Sequence, residues 1–245
     1  MPPTDPVGLP SVIELRQYTL RPGRRDELIA LFDREFVESQ EEVGMMVLGQ
    51  FRDLDDPDRF VWLRGFPDMT ARHRGLSDFY GGPVWARHGP RANDTMIDSD
   101  DVLLLRPEPS GSGFTCSPSG RPAVGAPAPD RFVAAIVWSF PPGRHDGIAL
   151  IRDGLLPVLL ETGPAPLAFL TTEDAPNTFP RLPVCSGENV AVIVTSYPDE
   201  SAHRRHLTGM RAHPLARVEL LPAIEREQTA APRRLRLTPT GRSLV

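Results

Sequence analysis

Apolar and polar residues alternate from Val12 to Leu20, which predicts a strand. Arg21-Pro-Gly23 then forms a turn punctuated by proline and glycine. From Asp26 to Val43 the apolar positions Leu28, Leu31, Phe32 and Phe36 have helical spacing, and Gly44 is placed to stop that helix. Met46–Phe51 and Phe60–Phe66 predict two strands around the turn-like Asp53–Asp58. Met69 to about Met96 predicts a helix broken near Gly81-Gly-Pro83, and Val102–Arg106 a further strand. The same order then recurs. Strands are expected near 131–140, 166–172, 189–197 and 233–237. Helices are expected near 144–162 and 200–226, the second interrupted at Pro214 and again at Pro222.

The two stretches also resemble each other residue by residue. Tyr18–Asp26 matches Trp138–Asp146, and Gly65-Phe-Pro-Asp68 matches Ser196-Tyr-Pro-Asp199. Ala71, Arg74 and Leu76 then fall opposite Ala202, Arg205 and Leu207. An internal duplication explains matches that keep the same order. The chain therefore divides into a first repeat at 11–106, a Pro/Gly/Ser-rich linker at 107–130 and a diverged second repeat at 131–238. Such a linker reads as flexible and partly extended. Two βαββαβ units define an α+β protein built from tandem ferredoxin-like units. The bare face of each antiparallel sheet needs a cover, and packing the two sheets face to face within one chain supplies it.

Composition narrows the chemistry. The chain has 245 residues, a net charge of -5 and 40% hydrophobic residues, which fits a globular protein with a sizeable core and does not favour a nucleic-acid partner. All 27 basic residues are arginine. Schiff-base and covalent pyridoxal phosphate chemistry, and a phosphate loop of the usual kind, therefore have no lysine to use. Cys116 and Cys185 are far apart and form no CxxC pair, so structural zinc is not indicated. Met1–Pro10 lacks a signal-peptide pattern, and the longest apolar strip, Phe132–Phe140, is too short to span a membrane. A soluble, cytoplasmic protein with no membrane partner is expected. No GxGxxG follows a strand, and no GxSxG occurs.

Glu14-Leu-Arg-Gln-Tyr-Thr-Leu-Arg-Pro-Gly23 resembles the opening strand and turn of the NIPSNAP family. Trp62-Leu-Arg-Gly-Phe-Pro-Asp68, followed by Arg72, Arg74 and Trp85, resembles that family's third strand and second helix. The resemblance covers residues 12–106 well and 131–238 more weakly. It implies a fold of the dimeric α/β-barrel superfamily, which includes cofactor-independent monooxygenases, isomerases, haem-binding enzymes and proteins without a known reaction. Activity has to be argued from the site.

The charged strand positions are confined to the first repeat. Glu14 and Arg16 correspond to Ala134 and Ile136, and Trp62 and Arg64 to Ile193 and Thr195. The second repeat instead carries a long insert, Glu173–Gly187, which is placed to act as a lid. Glu14, Arg16 and Tyr18 share one strand face, and Arg64 stands on the neighbouring strand. An arginine fork there would hold a carboxylate or enolate oxygen; the alternative is a buried ion pair that fixes register. Trp62, Phe66, Phe79, Tyr80 and Trp85 concentrate aromatic surface that suits a flat pocket, or plain core packing. His73 and His88 flank that cluster as proton shuttles, with His88 as the haem ligand in the alternative reading. His203, His206 and His213 lack a metal-site pattern, and no metal is expected.

The expected function is a small-molecule enzyme of specialised metabolism, an oxygenase or isomerase without cofactor, acting on a hydrophobic aromatic substrate. Glu14, Arg16, Arg64, His73 and His88 are its expected catalytic residues. A haem-binding protein and a non-catalytic binding or scaffold protein are the alternatives. A homodimer remains an option.

Overall fold

The structure, a computed structural model, describes residues 9–109 and 113–245. Its strands are β1 (Val12–Leu20), β2 (Met46–Asp53), β3 (Arg59–Phe66), β4 (Met96–Pro107), β5 (Phe132–Ser139), β6 (Ala168–Thr172), β7 (Val190–Tyr197) and β8 (Arg233–Pro239). The helices are α1 (Arg25–Leu31), α2 (Val37–Glu41), α3 (Met69–Gly81), α4 (Pro83–Asp94), α5 (Asp146–Ala149), α6 (Leu156–Thr162), α7 (Glu200–Ala212) and α8 (Leu221–Glu227). Wider π-helical turns at Phe32–Phe36, Leu150–Leu155 and Ala216–Leu220 join α1 to α2, α5 to α6, and lead into α8. Pro222 does not interrupt its helix as expected. It sits in the first turn after a π segment, where its missing N–H is tolerated.

The strands close into a barrel in the order β1-β3-β2-β8-β5-β7-β6-β4. Both halves thus contain a four-stranded antiparallel run with the same internal order, β4-β1-β3-β2 and β8-β5-β7-β6. The two sheets expected to pack face to face as one barrel form a single closed sheet. The sheet edges are joined, β2 to β8 through Phe51–Asp53 and β4 to β6 through Leu105–Pro107. Edge pairing satisfies backbone groups that a face-to-face sandwich would leave exposed.

Strand alternation then sorts the side chains into three layers. Inward residues such as Ile13, Leu15, Val61, Leu63, Val133, Val192 and Leu235 fill the barrel. Outward residues of the first half pack beneath α1–α4 with Phe32, Phe36, Leu76 and Phe79. Those of the second half pack beneath α5–α8 with Ile151, Leu155 and Met210. No helix among the described residues is long and apolar enough to cross a membrane.

The segment after β4 does more than tether the halves. Phe114 is 1% exposed and belongs to the core inside the barrel, with Cys116 packed beside it. Arg121 donates to the Val47 and Arg242 carbonyls and pairs with Glu41. The C-terminal residues close the same region, with Val245 against the barrel core and Arg242 paired to Glu38. A proline-rich segment shows no periodicity, so an isolated aromatic anchor in it leaves no pattern to read. Phe114→Ala is expected to destabilise the chain by about 3–5 kcal/mol in urea unfolding, the usual cost of emptying a buried aromatic site. An unchanged midpoint would mean that the segment is a free tether after all.

Candidate functional site

β1 and β3 pair antiparallel with Glu14 opposite Arg64 and Arg16 opposite Trp62. All four point away from the barrel interior, towards the helices. Glu14 Oε2 accepts from Arg16 Nη1 at 2.7 Å and from Arg64 Nε at 2.9 Å, and Arg64 Nη2 lies 2.7 Å from the same oxygen. Glu14 Oε1 accepts from Arg72 Nε at 2.7 Å. The side chains of Glu14, Arg64 and Arg72 are fully buried and that of Arg16 is 1% exposed. Three arginines against one carboxylate leave a local charge of +2 in a water-excluded place. Burial alone would raise the Glu14 pKa, but Arg64, Arg16 and Arg72 together hold it well below the usual carboxylate range.

Arg72 enters from α3, whose first turn is fixed by Asp68 accepting from the Ala71 N–H at 2.7 Å. Its Nη1 donates to Asn177 Oδ1 at 2.9 Å and to Thr178 Oγ1 at 3.3 Å. The second half's insert is thereby tied to the first half's charge cluster. Phe179 of the insert stacks on Tyr80, with ring centroids 5.9 Å apart.

Beside the cluster lies a cleft of about 410 Å³. Arg16 and Tyr18 line it from β1, Tyr80 and Trp85 from α3 and α4, and Phe179 and Arg181 from the insert. Met96–Asp100 completes the wall, and its exposed Asp98 and Asp100 mark the mouth together with Arg181. Arg16 Nε donates to Tyr18 Oη at 2.9 Å, which leaves the phenol's own proton available to another acceptor. Burial raises the Tyr18 pKa while Arg16 opposes it, so Tyr18 stays a neutral donor.

The expected aromatic residues divide by depth. Tyr80 and Trp85 wall the cleft. Trp62 and Phe79 line a narrow slot beneath it with Phe32 and Phe36. The Trp62 Nε1 proton is buried there without a hydrogen-bond partner. Phe66 lies against the arginines, 5.5 Å from the Arg64 guanidinium.

Neither expected proton shuttle lines the cleft. His88 Nε2 lies 3.5 Å from Glu35 Oε2. His73 Nδ1 donates to the Thr178 carbonyl at 2.6 Å and helps hold the insert. His88 therefore has no aim into the cleft as an axial ligand. His203 stacks on Phe132, His206 bridges Tyr197 and the Leu159 carbonyl, and His213 faces Glu161. Sequence reading left Arg72 and the insert residue Asn177 out of the site. Arg72 was detectable, because it shares a helical stripe with Leu76 and Phe79 at i+4 and i+7. Asn177 gave no local signal.

The chain thus folds as a closed antiparallel barrel with helices outside and a cleft between sheet and helices. Residues 13–110 match the family model described as NIPSNAP. A search of curated protein sequences gives no match. Among solved structures, a "putative monooxygenase" from Fusobacterium nucleatum is similar with a TM-score of 0.61 and 12% identity, covering 94% of this chain and 93% of that one. A "putative monooxygenase" from Lactobacillus acidophilus has a TM-score of 0.55 and 13% identity over 97% and 99%. An anthrone oxidase-like protein has a TM-score of 0.54 and 11% identity over 96% and 93%. These likenesses establish the shared fold.

The cluster makes a pH-resolved prediction. Glu14→Gln leaves three buried arginines without a carboxylate and is expected to cost about 3–5 kcal/mol at pH 7. Because the folded pKa of Glu14 is lowered, its contribution is present above the ordinary value of 4.5 and fades as pH falls further. The gap between wild type and Glu14→Gln should therefore narrow below about pH 4.5. Urea unfolding of both proteins at pH 7 and pH 3 measures it, and a gap that widens on acidification contradicts the argument.

Proposed function

We propose that the chain is a monooxygenase-like enzyme that holds the deprotonated form of a hydrophobic aromatic substrate, without a metal or organic cofactor. The carrying observation is the surplus positive charge buried beside an aromatic-walled cleft, with Arg16 as the member of the cluster that reaches it. A surplus charge in a water-poor site favours an anionic ligand more strongly than the same charge in water does. The names of the full-length structural neighbours are in keeping with an oxygenase.

On this reading a phenolate or enolate oxygen lies against Arg16, and Tyr18 donates its free proton to the same oxygen. Tyr80, Trp85 and Phe179 form the aromatic wall against which the ring system lies. The anion is electron-rich enough to react with dioxygen itself. An activated methylene then becomes a carbonyl: two C–H bonds break, one oxygen atom enters the product and the other leaves as water. Both electron pairs come from the substrate, so no external reductant enters. Asp98 and Asp100 at the mouth carry the released proton towards solvent, in place of His73 and His88. In this reading the two halves are diverged copies, and one chain completes the barrel that a homodimer would otherwise form.

The axial-ligand version is less well supported, because His88 is engaged by Glu35 outside the cleft. Titration with haemin and observation of the Soret band separates the two. Anthrone, a tricyclic methylene ketone, is the first probe, with oxygen uptake as the readout. Wild-type protein is expected to exceed the uncatalysed rate. Arg16→Gln should lower kcat/KM by about 100-fold, the scale for one preorganised charge-stabilising donor. Tyr18→Phe should lower it by about tenfold, the scale of one hydrogen bond to a charged group. Uptake equal to the uncatalysed rate across a series of such aromatic methylene and phenol probes would overturn the oxygenase reading.

A further inference from the structure

The geometry points to a second small-molecule site in the other half of the barrel, built for a neutral hydrophobic molecule. It rests on a register equivalence between the halves. β1 pairs with β3 so that Glu14 faces Arg64, Arg16 faces Trp62 and Tyr18 faces Phe60. β5 pairs with β7 so that Ala134 faces Thr195, Ile136 faces Ile193 and Trp138 faces Ala191. The helix that follows each third strand begins with the same aspartate cap, Asp68 onto Ala71 and Asp199 onto Ala202. Four residues beyond that cap stand Arg72 in one half and His203 in the other. The cluster Glu14, Arg16, Arg64 and Arg72 is thus represented by Ala134, Ile136, Thr195 and His203. His203 is also drawn away, stacked on Phe132 with ring centroids 4.9 Å apart.

The cleft survives although its charges do not. A cavity of about 540 Å³ lies at the matching position, lined by Ile136 and Trp138 where the first cleft has Arg16 and Tyr18. Leu207 and Met210 of α7 and Ile224 of α8 form its other walls. Leu207 and Ile136 are half-buried, so apolar surface of this half remains uncovered within the cavity. Arg211, Glu225 and Arg234 line it too, but all three are exposed and well solvated. Gln228 of the segment after α8 lines the cavity as well. Apolar walls with a solvated polar rim suit a neutral ring molecule whose hydroxyl stays at the rim. An anion would meet no buried cation there.

Two probes with the same ring and different charge separate the sites. Calorimetric titration would use 2-naphthylmethanol, which stays neutral, and 2-naphthoate, which is an anion. The alcohol is expected to bind wild type, and to bind about tenfold more weakly to Ile136→Asn, which places a polar group on the cavity wall. Arg16→Gln should leave the alcohol's affinity unchanged and weaken the carboxylate. Leu207→Phe narrows the cavity without adding polarity and is expected to weaken the alcohol as well, which keeps the test decisive where Ile136→Asn does not fold. Absence of alcohol binding, or binding indifferent to the substitutions at 136 and 207, would overturn the second site. Failure of 2-naphthoate alone would count against the anion reading of the first cleft and leave this site standing.

Discussion

One buried carboxylate organises the first half of the molecule. Glu14 gathers Arg16 from its own strand, Arg64 from the neighbouring strand and Arg72 from the helix that packs over both. Each arginine would be costly to bury alone, and each has its cost reduced by the same two oxygens. The arrangement also fixes geometry. A one-residue slip of β1 against β3 would carry Glu14 into the apolar barrel interior, so the ion cluster and the hydrophobic alternation enforce the same register. Arg72 extends that constraint to the insert, because Asn177 Oδ1 also accepts from the Phe179 N–H. The aromatic wall at Phe179 is therefore set, through three hydrogen bonds, by a charge on β1.

Much of this was legible in the chain, and the misses have physical causes. The strands and helices follow hydrophobic period closely, because the barrel has an apolar interior and a second apolar layer under the helices. β4 shows where that signal stops. The sequence predicts a strand from Val102, whereas the structure starts it at Met96. Ile97 is exposed, Asp98 to Asp101 is polar, and the pairing of this stretch with β1 is irregular. Those residues are held by backbone pairing rather than by buried side chains, and they are the ones that border the cleft. Part of the cleft wall thus falls where hydrophobic patterning is weakest.

The candidate site was legible to a similar depth. Glu14, Arg16 and Arg64 announce themselves as charges on strands whose other outward positions are apolar. Tyr80 and Trp85 follow from local aromatic density. The histidines were chosen by chemical aptitude alone, and the packing of α4 turns His88 to Glu35 while His73 is taken by the insert backbone. Asn177 lies 105 residues from the arginine it meets, and no local pattern encodes a contact of that range. The same applies to Phe114, a single aromatic within a proline- and glycine-rich run.

A barrel of two identical chains would need any change in one half to be tolerable in both. A cluster with a surplus charge would then appear twice, as would every segment required to cover it. Joining the halves in one chain removes that coupling. Here a single insert, 173–187, leaves the second half and closes the cleft of the first, with no counterpart between β2 and β3, where only Leu54–Asp58 connects the strands. The half that supplies the cover has Ala134, Ile136, Thr195 and His203 at the positions of the buried cluster, and near them His206 and Tyr197 form a neutral pair. His206 Nε2 must donate to the Leu159 carbonyl, so its neutral Nδ1 accepts from the Tyr197 hydroxyl at 2.8 Å. Burial lowers the His206 pKa and raises that of Tyr197 to about 12, so both groups are neutral at pH 7. One layer between sheet and helices is thus held by ionised groups and the other by neutral ones, on the same strand order. That contrast gives the two clefts different electrostatic surroundings while the barrel between them stays the same.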